Sequence, residues 1–436
     1  MPSRLSRRRF LQGAAALGAV PFLSAEEKKP GANDRLQVGV VGTFNRAGEN
    51  IKDLVAAGAE IVALCDVDEE RSGKVRERFP KASFDTDYRK MIDRKGLDAV
   101  LCATPDHHHA FVTLAALRAG LHVYCEKPLT HSVAEARLVA ETAAKQKRVT
   151  QMGTQIHAGD NYRRVVELIQ TGAIGTVREV HTWCGRAYGG KDRPKESEPV
   201  PAGLHWDQWV GPAPERPFYQ GPLDKSGNGL YHPFNWRDWW DFGGGTLNDM
   251  ACHHMDLPFW ALKLRHPTKV AAEGPPVHPE STCPWLIVRY EFPERGDLPP
   301  VKLTWYHGSK RPELMAKPNM PKWGDGNLFV GDKGMLLAGY SDHRLLPEKD
   351  FEGFKRPEPF IPKSLGHHKE WVEACKNGGP TTCNFDYSGA LTEAVLLGTV
   401  SYRSGKPLVW DAAKLKADVP EAERFVHKTY RKGWVL

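Results

Sequence analysis

Residues 36–51, "LQVGVVGTFNRAGENI", decide the fold. An apolar run rich in valine stops at Gly42, and within a few residues a helical segment, "ENIKDLVAAG", begins. A strand that turns on a glycine almost directly into a helix opens a βα unit. The unit recurs downstream as strand "EIVALCDVD", helix "EERSGKVRERF", strand "LDAVLCATP", helix "HHAFVTLAALRAG" and strand "LHVYCEKP". Continuous apolar strands between amphipathic helices predict a parallel sheet covered on both faces, hence a doubly wound α/β domain over residues 34–150.

Past residue 150 the rhythm changes. After a helix at "NYRRVVELIQTG", the strand candidates "TVREVHTWCGRAYG", "KVAAEG", "WLIVRYEF", "VKLTWYHG" and the "GDKG"-linked pair in "NLFVGDKGMLLAG" follow one another. Strands in succession without helices between them predict an α+β domain, residues 151–436, with an open, mainly antiparallel sheet. An insertion at about 200–245 is rich in proline, glycine and tryptophan. Its length predicts a functional segment, and its tryptophans predict an ordered one.

The turn after the first strand has the chemistry of a dinucleotide site in incomplete form. Gly42 supplies the tight turn, Phe44 stands where a second glycine would let backbone approach a pyrophosphate, and Ala47 or Gly48 takes the third place. Asp66 follows Gly42 by 24 residues, the place of a carboxylate that binds the adenosine ribose and disfavours the extra phosphate of NADP. The alternative is that Asp66 caps the next helix. "ATPDHHHAF" lies at the carboxyl edge of the sheet. Consecutive histidines on a turn point in different directions, and no cysteine or carboxylate pattern completes a ligand set. His107, His108 and His109 therefore read as capping and packing groups, and no metal is expected.

"GGGTLNDMACHHMD", residues 243–256, places Asp249, His253 and Asp256 at spacings of four and three, on one face of a helix that Pro258 should end or bend. Taken alone, this face is either a solvated acid–imidazole pair or a catalytic one.

In their order along the chain, "GVVG", "CDVD", "ATPDHHHA", "EKPLT" and "GGGTLNDMACHHMD" resemble the Gfo/Idh/MocA oxidoreductases, the family of glucose-fructose oxidoreductase and inositol dehydrogenase. The long middle segment resembles its exported bacterial members. The resemblance implies an NAD-binding Rossmann domain with Gly42, Phe44, Asn45, Arg46, Asp66, Thr104, Pro105, His109, Glu126 and Lys127 as cofactor contacts. It also implies that Lys127, Asp249 and His253 meet at the reacting carbon. There His253, with a pKa suited to neutrality, serves as base, Lys127 polarises the oxygen, and Asp249 orients a hydroxyl or the imidazole. Asp256 and His254 fall to packing or support, while Gln155 and His157 face the cleft by the same analogy. Trp236 offers an aromatic face to a sugar ring and Arg237 a donor to its hydroxyls. A homo-oligomer, dimer or tetramer, built on the open sheet is implied as well.

Composition bounds the alternatives. With 41% apolar residues the chain carries an ordinary globular core, and its formal charge of +7, 60 basic against 53 acidic residues, owes much to Arg4, Arg7, Arg8 and Arg9. Without them the balance is near neutral, which makes no case for nucleic acid or an anionic membrane. Residues 1–25, "MPSRLSRRRFLQGAAALGAVPFLSA", have the layout of a secretory signal too short to span a bilayer. "SRRRFLQ" resembles a twin-arginine export signal with Arg7 and Arg8 as the pair and cleavage near Ala25, so the mature protein is expected in the periplasm or otherwise exported. An uncleaved basic anchor is the alternative. The eight cysteines form no CxxC pair and read as buried thiols.

Three functions compete. The first is an NAD-dependent oxidoreductase acting on a sugar, polyol or glycoside. The second is an NAD-retaining glycosidase or lyase, in which transient oxidation acidifies a neighbouring proton and permits elimination. The third is a saccharide-binding protein without turnover, for which Phe44 is the motive. Export favours a tightly held NAD, recycled within the catalytic cycle or by a second substrate.

Overall fold

The computed structural model describes residues 35–436, and the expected signal at 1–25 lies outside the described residues. The first sheet is built from β1 (Gln37–Val41), β2 (Glu60–Cys65), β3 (Ser83–Asp85), β4 (Ala99–Cys102), β5 (His122–Cys125) and β6 (Thr150–Met152). All neighbours pair in parallel in the order β3-β2-β1-β4-β5-β6. Between them run α1 (Arg46–Ala56), α2 (Gly73–Arg78), α3 (Tyr88–Ile92), α4 (Asp106–Arg118) and α5 (Val133–Gln146). β4 is buried along its whole length, as a strand covered on both faces must be. α5 starts on a capping box, in which Ser132 and Glu135 satisfy each other's backbone N–H groups. The short β3 and α3 carry too little periodicity to be read from sequence, and β6 takes the sheet two residues past the expected boundary at 150.

Past it lie α6 (Asp160–Gln170), β7 (Val177–Cys184), α7 (Trp206–Val210), α8 (Gly245–His254) and α9 (Asp256–Ala261). Then come β8 (Lys269–Glu273), β9 (Leu286–Phe292), β10 (Val301–His307), β11 (Gly326–Gly331), β12 (Gly334–Ala338) and β13 (His343–Leu346). The chain ends with α10 (His367–Asn377), α11 (Phe385–Ser404), β14 (Leu408–Asp411), β15 (Lys416–Ala417) and α12 (Glu423–Val426). The sheet order is β13-β12-β11-β7-β10-β9-β8-β14-β15. It is mostly antiparallel, but β10 runs parallel to β7, because the chain leaves the sheet through the insertion and two helices before the next strands form. α11 is buried on nearly every side and packs against both α5 and α8, so it joins the two sheets into one core.

The insertion has a small core of its own, in which Trp206, Trp209, Phe218, Tyr231, Trp239 and Phe242 are all buried together. The Trp206 and Trp209 rings stack at 4.6 Å. Most of its aromatics are therefore structural. No helix among the described residues is long and apolar enough to cross a membrane. The eight cysteines are unpaired, and seven are buried.

Candidate active site

A cavity of about 480 Å³ lies where β1, β2, β4 and β5 end, walled on its far side by α8 and the insertion. At one end the chain turns at Gly42 with φ of 79°. A Cβ there would meet the Ala103 carbonyl oxygen at 2.7 Å, so no other residue fits. The Thr43 N–H and hydroxyl donate to Asp66 Oδ2 at 2.7 and 2.8 Å, and the Asp68 N–H donates to Oδ1 at 3.0 Å. Burial raises the Asp66 pKa against these bonds. Asp66 therefore anchors the turn and lines the cavity, while Ser72, not Asp66, stands at the start of α2. No side chain caps the first turn of α1. A close-approach glycine, an uncapped helix start and a carboxylate at the end of β2 together fit a dinucleotide. Phe44 lines the same turn but is 43% exposed, beneath the Arg71 guanidinium at 5.2 Å.

At the other end the charges converge. Lys127 Nζ donates to Asp249 Oδ1 at 2.6 Å and to the Asp249 carbonyl at 3.0 Å. Arg237 Nε donates to the same Oδ1 at 3.1 Å, and the Tyr188 hydroxyl to Oδ2 at 3.0 Å. Burial alone would raise the Asp249 pKa, but Lys127 and Arg237 hold it well below the usual carboxylate range. His253 lines the wall beside them. Its Nδ1 is buried without a hydrogen-bond partner, and burial together with the Lys127 charge pushes its pKa well below the ordinary value. The expectation of a histidine tuned to neutrality is thus corrected: burial and the Lys127 charge favour the neutral imidazole, a weaker base than spacing implied. Glu126 Oε1 gathers Asn50, Gln155 and Arg46 at 2.8, 3.0 and 3.3 Å and so fixes the loop that presents Lys127.

Two family models match the chain: an oxidoreductase family NAD-binding Rossmann fold over residues 36–154 and an oxidoreductase family C-terminal alpha/beta domain over 168–298, more than half of the chain together. The chain belongs to the Gfo/Idh/MocA oxidoreductase family. Inositol 2-dehydrogenase 1 of Saccharopolyspora erythraea is 35% identical over 150 residues, 34% of this chain and 44% of that protein. The chain thus spans about half the length of the curated relatives it matches. Among solved structures, the WlbA dehydrogenase of Bordetella pertussis with NADH and UDP-GlcNAcA has a TM-score of 0.59 at 17% identity, covering 86% of this chain and 99% of its own. The aldose-aldose oxidoreductase of Caulobacter crescentus has a TM-score of 0.56 at 16% identity, covering 86% and 100%.

Of the expected site residues, Gly42, Phe44, Asn45, Arg46, Asp66, Thr104, Pro105, Glu126, Lys127, Gln155, Trp236, Arg237, Asp249 and His253 line this one cavity. Two do not. Both ring nitrogens of His109 are occupied by backbone carbonyls, Pro128 at 2.7 Å and Thr104 at 2.9 Å, so it ties two loops together beneath the cofactor end. His157 is sealed in the core against Asp256 and stacks on Trp260 at 4.1 Å. Both ring nitrogens of His107 and Nε2 of His108 also sit against backbone carbonyls, which matches the packing role read from sequence. Sequence reasoning missed Asp106, a 3% exposed carboxyl in the cavity wall whose pKa burial pushes up to about 7 against the nearby cations. Its signal, an acid opening a helix at a strand's carboxyl end, stood inside the histidine motif. Tyr188, and Trp434 from the chain's end, carried no signal at all.

Proposed function

We propose that this protein is an NAD-dependent oxidoreductase acting on a CH–OH group of a sugar, polyol or glycoside. The observation that carries this reading is one carboxylate, Asp249, shared by Lys127 and Arg237 beside the neutral imidazole of His253, in the same cavity as a dinucleotide-type turn. When bound, NAD supplies the hydride acceptor. Lys127 and Arg237 place more positive charge at this wall than Asp249 neutralises, which favours a substrate oxygen as it loses its proton. The neutral imidazole of His253, whose Nδ1 has no hydrogen-bond partner, receives that proton, and the Lys127 ammonium polarises the oxygen. Arg237 lies over the Trp236 ring, 4.2 Å from its centroid, and the pair lines the cavity wall against which a sugar would pack.

Asp66 favours NAD over NADP by repelling a second phosphate. The protein is exported through its twin-arginine segment with NAD tightly held, and it assembles as a homo-oligomer through its open sheet. A second reading, elimination or hydrolysis with NAD retained, is favoured by Asp106, whose carboxyl keeps its proton near neutral pH and offers an acid to a leaving group.

The test is to purify the processed protein, denature it, and assay the released small molecules for NAD and NADH. One dinucleotide per chain, reduced when the intact protein meets a sugar or polyol, is the expected result. An empty protein that also fails to bind added NAD would overturn the reading in favour of a binding protein.

A further inference from the structure

Among the described residues, three trios of cysteine, histidine and carboxylate side chains bring one ligand atom each within 4.8 Å of one another. Two are already spent. In Cys102–His109–Cys125 both histidine nitrogens hold backbone carbonyls. In His157–Asp256–Cys383 the polar atoms bond to each other and to Tyr387.

The third trio, Cys184, His254 and Asp325, differs. Cys184 ends β7, His254 ends α8, and Asp325 immediately precedes β11. His254 is 2% exposed; its Nε2 lies 2.9 Å from the Tyr340 hydroxyl, and its Nδ1 is buried with no hydrogen-bond partner. Asp325 Oδ1 accepts from the Gly185 N–H at 2.7 Å, and Oδ2 accepts from the Cys184 thiol at 3.4 Å, so the unpartnered His254 Nδ1 is what sets this trio apart. One imidazole nitrogen is thus oriented by an outer partner while the other is left bare, and the carboxylate is oriented by a backbone donor. Metal-binding histidines and carboxylates are held in this way. A buried nitrogen without a partner costs free energy that a ligand would recover. The Asp325 side chain, 38% exposed and 3.8 Å from Arg311, leaves a path from solvent.

We propose that Cys184, His254 and Asp325 bind a divalent cation of the zinc class, with water as the fourth ligand. Thiolate, imidazole and carboxylate suit a tetrahedral ion of that softness, whose ligand atoms sit roughly 3.3–3.8 Å apart, so small rotations close the trio. On binding, the cation replaces the Cys184 thiol proton, which passes to solvent, and no redox change accompanies the step. The ion would pin the carboxyl end of α8, which carries Asp249 and His253, to β7. The site stands independently of the redox reading.

The test uses the full processed protein, stripped with a chelator and titrated with Co²⁺, then with Zn²⁺. The expected result is one equivalent bound, with a thiolate-to-cobalt charge-transfer band that Zn²⁺ removes. Cys184→Ser should abolish the band and Asp325→Asn should weaken binding about tenfold or more. Cys102→Ser and Cys383→Ser, which address the other trios, should leave it intact. No stoichiometric binding by the unmodified protein, or a band that survives Cys184→Ser, would overturn the proposal. The cobalt spectrum of the unmodified chain and of the two control variants decides even where Cys184→Ser does not fold.

Discussion

Asp249 and Asp256 lie two helical turns apart on one stretch of chain and meet opposite fates. Asp249 faces the cavity and is shared by Lys127 and Arg237. Asp256 is fully buried; both of its oxygens lie 2.9 Å from His157 Nδ1, and one accepts from Tyr387 at 2.7 Å. The even spacing that placed both acids on one helical face does not survive, because α8 stops at His254 and α9 restarts at Asp256. Pro258 has no N–H to give the His254 carbonyl, so the break is written into the chain. Residue type and spacing nominate a site; which nominee becomes chemistry depends on whether its partners leave an edge open to a cavity. Asp256 spends its charge inside the core, whereas Asp249 leaves surplus positive charge where a substrate oxygen can sit.

The sharpest way to break this contrast is Lys127→Met. On the proposed reaction it should lower kcat by roughly 10³-fold, the middle of the range for a lost proton-handling group, with dinucleotide content retained and a lower thermal midpoint, because Asp249 is left with Arg237 as its one cationic partner. Turnover equal to that of the unmodified protein would remove Lys127 from the mechanism. Asp256→Asn should do the reverse: it leaves His157 buried without its charge partner and should cost about 3–5 kcal/mol of stability, with kcat/KM of the folded protein within about twofold. Asp256 holds the His157 pKa well above its ordinary value in spite of burial. A raised histidine pKa contributes stability that is fully present below about 6.5 and is lost as pH rises through the folded value. Denaturant midpoints should therefore show the Asp256→Asn deficit largest at and below neutrality and shrinking in alkali. A deficit in kcat with intact stability would mean that the core pair acts on the chemistry after all.

The contrast also marks how far the sequence could be read. The βα alternation from residue 36 and the glycine of the first turn announced the parallel sheet, since a strand covered on both faces leaves an unbroken apolar run. Lys127, Asp249 and His253 were singled out because motif order tied them to a family, not because spacing could choose Asp249 over Asp256, whereas Arg237 was read from the chemistry of the aromatic segment. The structure brings all four to one cavity. α11 was not legible as a helix, since an element buried on nearly every side has no polar stripe to give it a period. β10 beside β7 could not be foreseen either, because register across a long insertion is set by tertiary packing. His157 misled for a physical reason: a histidine beside the first domain's edge has the same composition whether it faces the cavity or the core.

Asp106 sharpens the comparison from the cavity side. Its folded pKa of about 7 lies above the carboxylate value of the unfolded chain, so its contribution to stability is full at acid pH and is lost between about 4 and 7. Asp106→Asn should flatten that part of the stability profile, a difference on the order of 2–4 kcal/mol between the ends of the range. If elimination is the reaction, the same variant should also abolish the fall in rate above pH 7. An unchanged stability profile would show that the cavity solvates Asp106 better than its burial implies.

The smallest effect is expected at Phe44, the residue that damages the glycine fingerprint. The left-handed backbone of this turn sits at Gly42 and Asn45, with φ of 79° and 57°, and not at Phe44, whose ring stands 43% exposed beneath Arg71. Position 44 therefore does not need glycine to form the turn; only the room its side chain leaves for a phosphate is in question. Phe44→Gly should change NAD affinity by less than about tenfold, roughly 1.4 kcal/mol, as read by calorimetry on protein stripped of nucleotide. A larger gain would mean that the ring screens the start of α1, and the missing glycine would then mark a weakened dinucleotide site. A small change would leave the cofactor end as it stands, a site whose fit rests on Gly42, Asp66 and the uncapped helix, at the far end of the cavity from the proposed chemistry at Asp249.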